Sequence, residues 1–294
     1  MHSGSWPAAE AALAALPLDQ ASLAMVYLSE VDGVEAFLEW SVTTFPTSPW
    51  ARACLAQRYV VIGWEVRTGN LAKDVSRDQF AVFHDWLQRA EDLHAPLFAQ
   101  MPQFAPAWSV GIIVALGLQF DMTELRHRHT QLSTLSPHNW PVQSQVLQFV
   151  LPKWSGDWNL AGNFVREAIN AAPRGSNCGA LIAEHHLEWW MSLGAGTAGA
   201  AHLQRPDVLA DLRDAASRSV LAGDAPLDSM RAEAHGTFLM AFYLGGNFED
   251  AAVHARVLGE RATVAPWYHI TESETKVAGI YRQVLGEKKR WFGR

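Results

Sequence analysis

The chain has 294 residues, of which 49% are hydrophobic and 18% are charged, so it can bury a sizeable core and is not intrinsically disordered. Its formal net charge of −7 argues against a general nucleic-acid-binding protein, which usually carries a basic surface. The two cysteines, Cys54 and Cys178, are too few for a disulfide framework. They are typical of buried free thiols in a reducing cytoplasm, and we expect a cytoplasmic protein.

Helix signals run along the whole chain, whereas strand signals are nearly absent. Apolar residues three and four apart predict helices over 18–29, 33–44, 48–67, 77–99, 106–119, 122–134, 141–153, 158–171, 179–192, 206–221, 227–244, 248–262 and 269–286. Asp157 and Asn247 are suited to cap two of these helices. The longest apolar run, Val110–Leu118, is too short to span a bilayer, which takes roughly 20 residues, and it predicts a buried helix. The sequence therefore predicts an all-α protein with no membrane span.

The spacing of prolines suggests a repeat. Pro102, Pro137 and Pro173 follow predicted helices and lie 35 and 36 residues apart. A fixed period of roughly 20 to 50 residues is the signature of helical solenoids. We expect one helical-repeat domain over 1–294, with an irregular helical part at 1–76 and repeat-like helix pairs at 77–193 and 206–287. The Gly- and Ala-rich segment 194–205 interrupts this phase and predicts an inserted loop.

Two segments also match each other in detail. Each has a turn glycine, then an aromatic residue, an alanine and an apolar residue two, five and twelve positions later: Gly156, Trp158, Ala161 and Ala168 in one, Gly246, Phe248, Ala251 and Leu258 in the other. These residues resemble the tetratricopeptide repeat, a helix-turn-helix of about 34 residues, most clearly over Val142–Pro173 and Arg231–Thr263. In the stretches Trp64–Arg67, Gly117–Gln119 and Glu184–Trp189 the chain also resembles bacterial tetratricopeptide-like proteins of actinobacterial type, which have no established activity. The resemblance implies an α-solenoid of antiparallel helix hairpins that binds a protein or peptide partner in a concave groove.

The segment Glu184–Trp190 has the densest cluster of residues suited to binding. On one helix His185, Glu188 and Trp189 share a face, with Glu184 beside them. Glu188 would raise the pKa of His185, and Trp189 would stack on a ligand or on a peptide side chain. The alternative interpretation is that the tryptophans fill the space between helices and that the charged groups form a rim.

Two more residues, a methionine and a tyrosine, extend the predicted groove. Met240 and Tyr243 lie on the first helix of the last clear repeat, where the concave face is expected. Trp154 and Trp158, on either side of the Gly156 turn, are interpreted as a structural clamp on the hairpin.

Two patterns suggest a cofactor or a metal without meeting the conditions for either. Gly194–Gly199 matches the dinucleotide fingerprint G-x-G-x-x-G letter for letter, but a predicted helix precedes it where the fingerprint needs a strand. The pairs Glu91/His94 and Glu124/His127 have the spacing used in di-iron bundles. Arginines flank His127, which predicts a solvated basic helix face instead. We expect neither a cofactor nor a metal.

Three functional hypotheses from different classes remain. The first is an interaction module that binds a peptide or protein through aromatic anchors. The second is a helical enzyme or small-molecule-binding protein with a pocket lined by Trp and His. The third is a structural homo-oligomer. A closed pocket with convergent polar groups and shifted pKa values would favour the second hypothesis.

Overall fold

A computed structural model describes residues 6–68, 75–154, 156–223, 225–261, 267, 270, 271 and 273–286. Within these ranges the regular elements are all helices and no strand occurs, which confirms the predicted all-α class. The chain divides into two compact units, Met1–Phe149 and Val150–Arg294. The regular solenoid of hairpins stays a prediction.

Unit 1 consists of consecutive helices, and each of the first six contacts the next one in the chain. They are α1 Trp6–Ala14, α2 Leu18–Ser29, α3 Val34–Thr44, α4 Pro49–Arg67, α5 Arg77–Gln100, α6 Ala105–Gly117, α7 Met122–Leu135 and α8 Trp140–Val150, whose last residue begins unit 2. The most extensive contact between two of these helices is that of α4 with α5. Nearly every residue of α6 is buried, as the apolar run at Val110–Leu118 predicts. None of the described helices combines the length and the apolar character needed to cross a membrane.

Helix α1 is absent from the sequence-based prediction. Its apolar periodicity is weak, but Trp6 at its start is fully buried in the core of unit 1. One large aromatic side chain buries enough apolar area to hold a short helix that its own propensity would not stabilise.

A buried arginine joins three helices of unit 1. The Arg128 guanidinium on α7 donates to both carboxylate oxygens of Glu91 on α5 at 2.9 and 2.7 Å, and to the carbonyl of Gly111 on α6 at 2.9 Å. It also donates to Glu124 at 2.7 Å. Burial alone would raise the pKa of Glu91, but its interactions with His94 and Arg128 outweigh burial and lower this pKa to about 2.

This cluster corrects the prediction of a solvated basic face at one of its residues, Arg128. Arg128 is only 3% exposed, although Arg126 and His127 beside it are exposed. Both glutamates of the two metal-like pairs contact the guanidinium, so their charge is matched by an arginine.

Unit 2 is built around α10. Its helices are α9 Trp158–Ala171, α10 Ala180–Ser192, α11 Gly196–Leu203, α12 Pro206–Arg218, α13 Ser229–Leu244, α14 Phe248–Leu258 and α15 Glu274–Val284, with 3₁₀ turns at Asn177–Gly179 and Gly259–Arg261. Helix α10 contacts α9, α11, α12 and α13. Residue 262 of one predicted helix and residues 269 and 272 of another lie outside the described residues.

The prediction of an inserted loop at 194–205 is wrong, because helix α11 lies within this segment. Leu203 is fully buried at its end. A Cβ atom added to Gly199 would lie 2.5 Å from Cδ1 of Trp190, so the glycine lets α11 approach α10 closely. Tertiary packing therefore forms a helix where the glycine content alone predicts a loop.

The two predicted caps in unit 2 have different outcomes. Asp157 accepts hydrogen bonds from the backbone amides of Asn159 and Leu160, each at 2.8 Å, and caps α9 as predicted. Asn247 occupies the N-cap position of α14, but its side chain donates to the carbonyl of Gly245 and makes no capping bond to the helix. The prediction that Asn247 caps α14 through its side chain is wrong.

A buried pair of histidines joins α13 to α14. The Nδ1 atoms of His235 and His254 lie 2.9 Å apart at hydrogen-bond distance, and each histidine is 1% exposed. The His254 ring stacks on Phe238 and Phe242, with ring centroids 5.3 and 5.8 Å away. Burial lowers the pKa of His254 to about 3, with a smaller effect from His235.

Candidate functional site

A cavity of about 190 Å³ lies between the first four helices of unit 2. Helices α9 and α10 supply most of its wall, α11 supplies a histidine, and the start of α12 supplies charged groups. Its lining includes Trp158, Gly162, Arg166, His185, His186, Trp189, His202, Arg205, Asp207 and Asp211. Four separate helices are therefore needed to assemble it.

Three rings form an aromatic wall in the cavity. The indoles of Trp158 and Trp189 stack with centroids 4.5 Å apart and an angle of 21° between their planes. On α11, the His202 ring stacks on Trp189 at 5.0 Å and 15°. Both tryptophans are half-buried, so their packing leaves part of each ring accessible. Such a wall favours a flat ligand, because aromatic rings stack best on other planar groups.

Two further histidines line the cavity, and a ring nitrogen of one of them has no hydrogen-bond partner among the described residues. His185 and His186 are 5% and 6% exposed. His186 Nδ1 lies 3.2 Å from His202 Nε2, so one of these nitrogens donates to the other. His185 Nδ1 is buried and has no hydrogen-bond partner among the described residues. Because this atom exposes no surface, a ligand in the cavity would meet His185 through its other ring nitrogen, Nε2, which is the one nearest Gly162.

The histidines of the cavity are held in their neutral form. Burial, with a smaller effect from the positive charge of Arg166, lowers the pKa of His185 to about 4. Burial together with the neighbouring histidines lowers the pKa of His186 to about 3, and burial also lowers the pKa of His202. The prediction that Glu188 raises the pKa of His185 is therefore wrong. Near neutral pH each ring offers one donor and one acceptor rather than a charge.

Four charged side chains surround the mouth. Arg205 and Asp207 bond to each other through two contacts of 3.0 and 2.5 Å. Arg166 and Asp211 are more loosely paired, since the nearest nitrogen and oxygen are 3.6 Å apart. Asp211 also lies 3.8 Å from His186 Nε2. Both of these distances exceed hydrogen-bond length.

The predicted cluster on α10 divides between two sides of the helix. His185 and Trp189 line the cavity as the binding hypothesis requires. Glu188 is 8% exposed and is ion-paired with Lys153 at 2.8 Å, away from the lining. Glu184 is half-buried and is not part of the lining either.

The two predicted residues on α13 lie elsewhere. Met240 is 2% exposed and packs in the core, so it presents no surface to a partner. The Tyr243 hydroxyl donates to Gln283 at 3.2 Å, and its ring contacts Phe248 and Trp267. Neither residue lines the cavity.

Sequence reasoning did not identify four important residues of the cavity. Trp158 was interpreted as a hairpin clamp, and His202 lies in the segment that was predicted as a loop. Arg166 and Asp211 come from two other helices, so no local motif connects them. A glycine in the middle of a helix is unfavourable by about 1 kcal/mol relative to alanine, and Gly162 in the amphipathic helix α9 was the one available signal.

No group of three or more His, Cys, Asp or Glu side chains in the described part of the chain is arranged to hold a metal ion. Comparison with known proteins gives no family model, no curated protein and no solved structure that matches this chain.

Proposed function

We propose that the protein binds a small planar ligand, of one ring, in the cavity between α9 and α12. The observation that carries this proposal is a cavity that combines a stacked aromatic wall with the imidazole of His185, whose Nε2 is the ring nitrogen nearest Gly162 in the lining. Binding sites for small molecules are typically apolar hollows with a few convergent polar groups.

The size of the cavity supports one ring. An engineered apolar cavity of about 150 Å³ holds a benzene molecule. The 190 Å³ available here therefore suits a ring with one or two substituents. Trp189 is stacked on both Trp158 and His202, so the accessible part of the half-buried Trp158 ring provides the stacking surface. His185 Nε2, the ring nitrogen nearest Gly162, favours a ring that carries a hydroxyl or a ring nitrogen.

Peptide binding is the second candidate function. The exposed Arg205 and Asp207 at the mouth favour it, because they offer polar contacts to groups that remain outside the cavity. A cavity of this size admits one aromatic side chain, so a peptide would be anchored at a single position. The buried Met240 makes no contribution to such a groove.

Gly162 provides the sharpest test of the proposed function. A Cβ atom at this position would lie 3.8 Å from Nε2 of His185, in the wall of the cavity. A valine there fills the space that the ring needs. The matched control is Gly279→Val in α15, because a Cβ atom at Gly279 has no atom within 4 Å and the residue does not line the cavity.

The experiment is a calorimetric titration with phenol and with cyclohexanol, which carries the same hydroxyl on a ring that is not flat. We expect phenol to bind about tenfold more tightly and to change tryptophan fluorescence. Gly162→Val should abolish phenol binding, whereas Gly279→Val should retain it. Equal binding of phenol by the two variants, or no binding of phenol by the unmodified protein, would refute the proposal.

A further inference from the structure

The cavity mouth points to the chemical class of the ligand. We infer that the ligand is a free aromatic α-amino acid, with its ring in the cavity, its ammonium group on Asp211 and its carboxylate on Arg166. This inference rests on the proposed function, because the ring occupies the same cavity. It adds a requirement for both charges of the zwitterion.

Asp211 has the unused capacity that an ammonium group needs. Its side chain is 43% exposed and lines the cavity. Its two nearest cationic or imidazole nitrogens, on Arg166 and His186, are 3.6 and 3.8 Å away, and no described residue donates a hydrogen bond to its carboxylate. A carboxylate accepts about four hydrogen bonds, so an ammonium group placed beside it meets free lone pairs.

Arg166 has the complementary capacity. Its side chain is 58% exposed, and one of its Nη1 hydrogens donates to the carbonyl of Gly162 at 3.2 Å. A guanidinium carries five donors in a planar fork, which matches the two oxygens of a carboxylate. The remaining donors of Arg166 are not at hydrogen-bond distance from Asp211, so a ligand carboxylate does not have to break a close ion pair.

The other charge pair at the mouth, Arg205 and Asp207, is directly hydrogen-bonded. Arg205 and Asp207 are joined by contacts of 3.0 and 2.5 Å, which use both carboxylate oxygens. Two donors of Arg205 and both carboxylate oxygens of Asp207 are used within the pair. Arg166 and Asp211 differ in being close together yet not bonded, and this difference selects them as the ligand-facing pair.

Charge balance favours a zwitterion over an ion. Arg166 and Asp211 contribute one positive and one negative charge, and the histidines behind them are neutral near pH 7. A cationic ligand is repelled by Arg166, and an anionic ligand is repelled by Asp211. A ligand with both charges on one carbon places each beside its opposite while the ring extends toward Trp158 and Trp189.

The test compares four ring compounds by calorimetry at pH 7: L-phenylalanine, its methyl ester, N-acetyl-L-phenylalanine and phenol. The ester lacks the carboxylate charge and the acetyl compound lacks the ammonium charge. We expect L-phenylalanine to bind about tenfold more tightly than either analogue, because each loses one hydrogen-bonded charge pair.

Variants test the two charged residues assigned to the ligand. Arg166→Gln and Asp211→Asn should each weaken L-phenylalanine binding about tenfold while leaving phenol binding unchanged, which also shows that the variants are folded. Arg213→Gln and Asp250→Asn are the matched controls, because these residues form a charge pair outside the lining, and they should leave both affinities unchanged.

The outcomes distinguish this inference from the proposed function. Phenol binding with no preference for the amino acid over its analogues overturns the zwitterion and retains the ring site. Tightest binding of the ester overturns it in favour of the N-terminal residue of a peptide, and tightest binding of the acetyl compound overturns it in favour of a C-terminal residue. Failure of all four compounds to bind overturns both proposals.

Discussion

We expect the substitution His254→Phe to make unit 2 less sensitive to acid. The phenylalanine ring keeps the stacking on Phe238 and Phe242, whose centroids lie 5.3 and 5.8 Å from the His254 ring. It removes a group whose pKa in the folded protein is about 3, against the ordinary histidine value of 6.5. The change therefore removes a proton-binding site while preserving most of the packing.

The direction of this pH effect follows from whether the folded or the unfolded state binds a proton first as the pH falls. As the pH falls below 6.5, His254 is protonated in the unfolded chain while it stays neutral in the folded protein. Its contribution to stability is complete above pH 6.5 and is lost progressively as the pH falls toward about 3. Each pH unit in this window costs about 1.4 kcal/mol, so lowering the pH from 7 to 5 costs about 2 kcal/mol for this residue.

The assay is urea unfolding followed by circular dichroism at pH 7 and pH 5, at constant ionic strength. At pH 7 the free energy of unfolding of the variant should be about 1–3 kcal/mol lower than that of the unmodified protein, because His235 Nδ1 loses its hydrogen-bond partner. The difference in the free energy of unfolding between pH 7 and pH 5 should be about 2 kcal/mol smaller in the variant than in the unmodified protein. An unchanged difference would refute the reasoning. His84→Gln, at an exposed position in unit 1, controls for the loss of a histidine as such.

Two further predictions concern packing and charge. Arg128→Met should lower the free energy of unfolding by about 3–5 kcal/mol in urea titrations, since it strands the Glu91 carboxylate in the core. The same change at the exposed Arg126 on α7 should have almost no effect, and equal effects at the two sites would contradict the role of the ion pair. Gly199→Ala should lower the melting temperature despite alanine's better helix propensity, because its Cβ atom would press on Trp190. A rise in melting temperature would show that α11 tolerates a wider separation from α10.

The sequence predicts the helices well where the apolar pattern alone stabilises them. Helix α9 has a regular apolar stripe, an Asp157 cap and a following Pro173, and it spans Trp158–Ala171 as expected. Helix α11 was not predicted, because its glycines disfavour a helix and its stabilising contact is with Trp190 on another helix. Local propensity carries no information on such a contact.

The candidate site was predicted only in the part that lies on a single helix. His185 and Trp189 are four residues apart on α10, so helical periodicity places them together. Trp158 and His202 reach the same cavity from α9 and α11, and their positions depend on how the helices pack. Glu188 shares the predicted face but pairs with Lys153, because a nearby cation outside the helix attracts its charge.

The guanidinium that contacts α5, α6 and α7 has a consequence for how unit 1 opens. Helix α7 buries few apolar residues, among them Leu125 and Leu132, so its own packing is modest. Detaching it would leave the largely buried Glu91 carboxylate without the guanidinium that balances its charge. The opening of α7 is therefore coupled to the opening of α5, and the three helices are expected to exchange their amide hydrogens as one cooperative group rather than by fraying one after another.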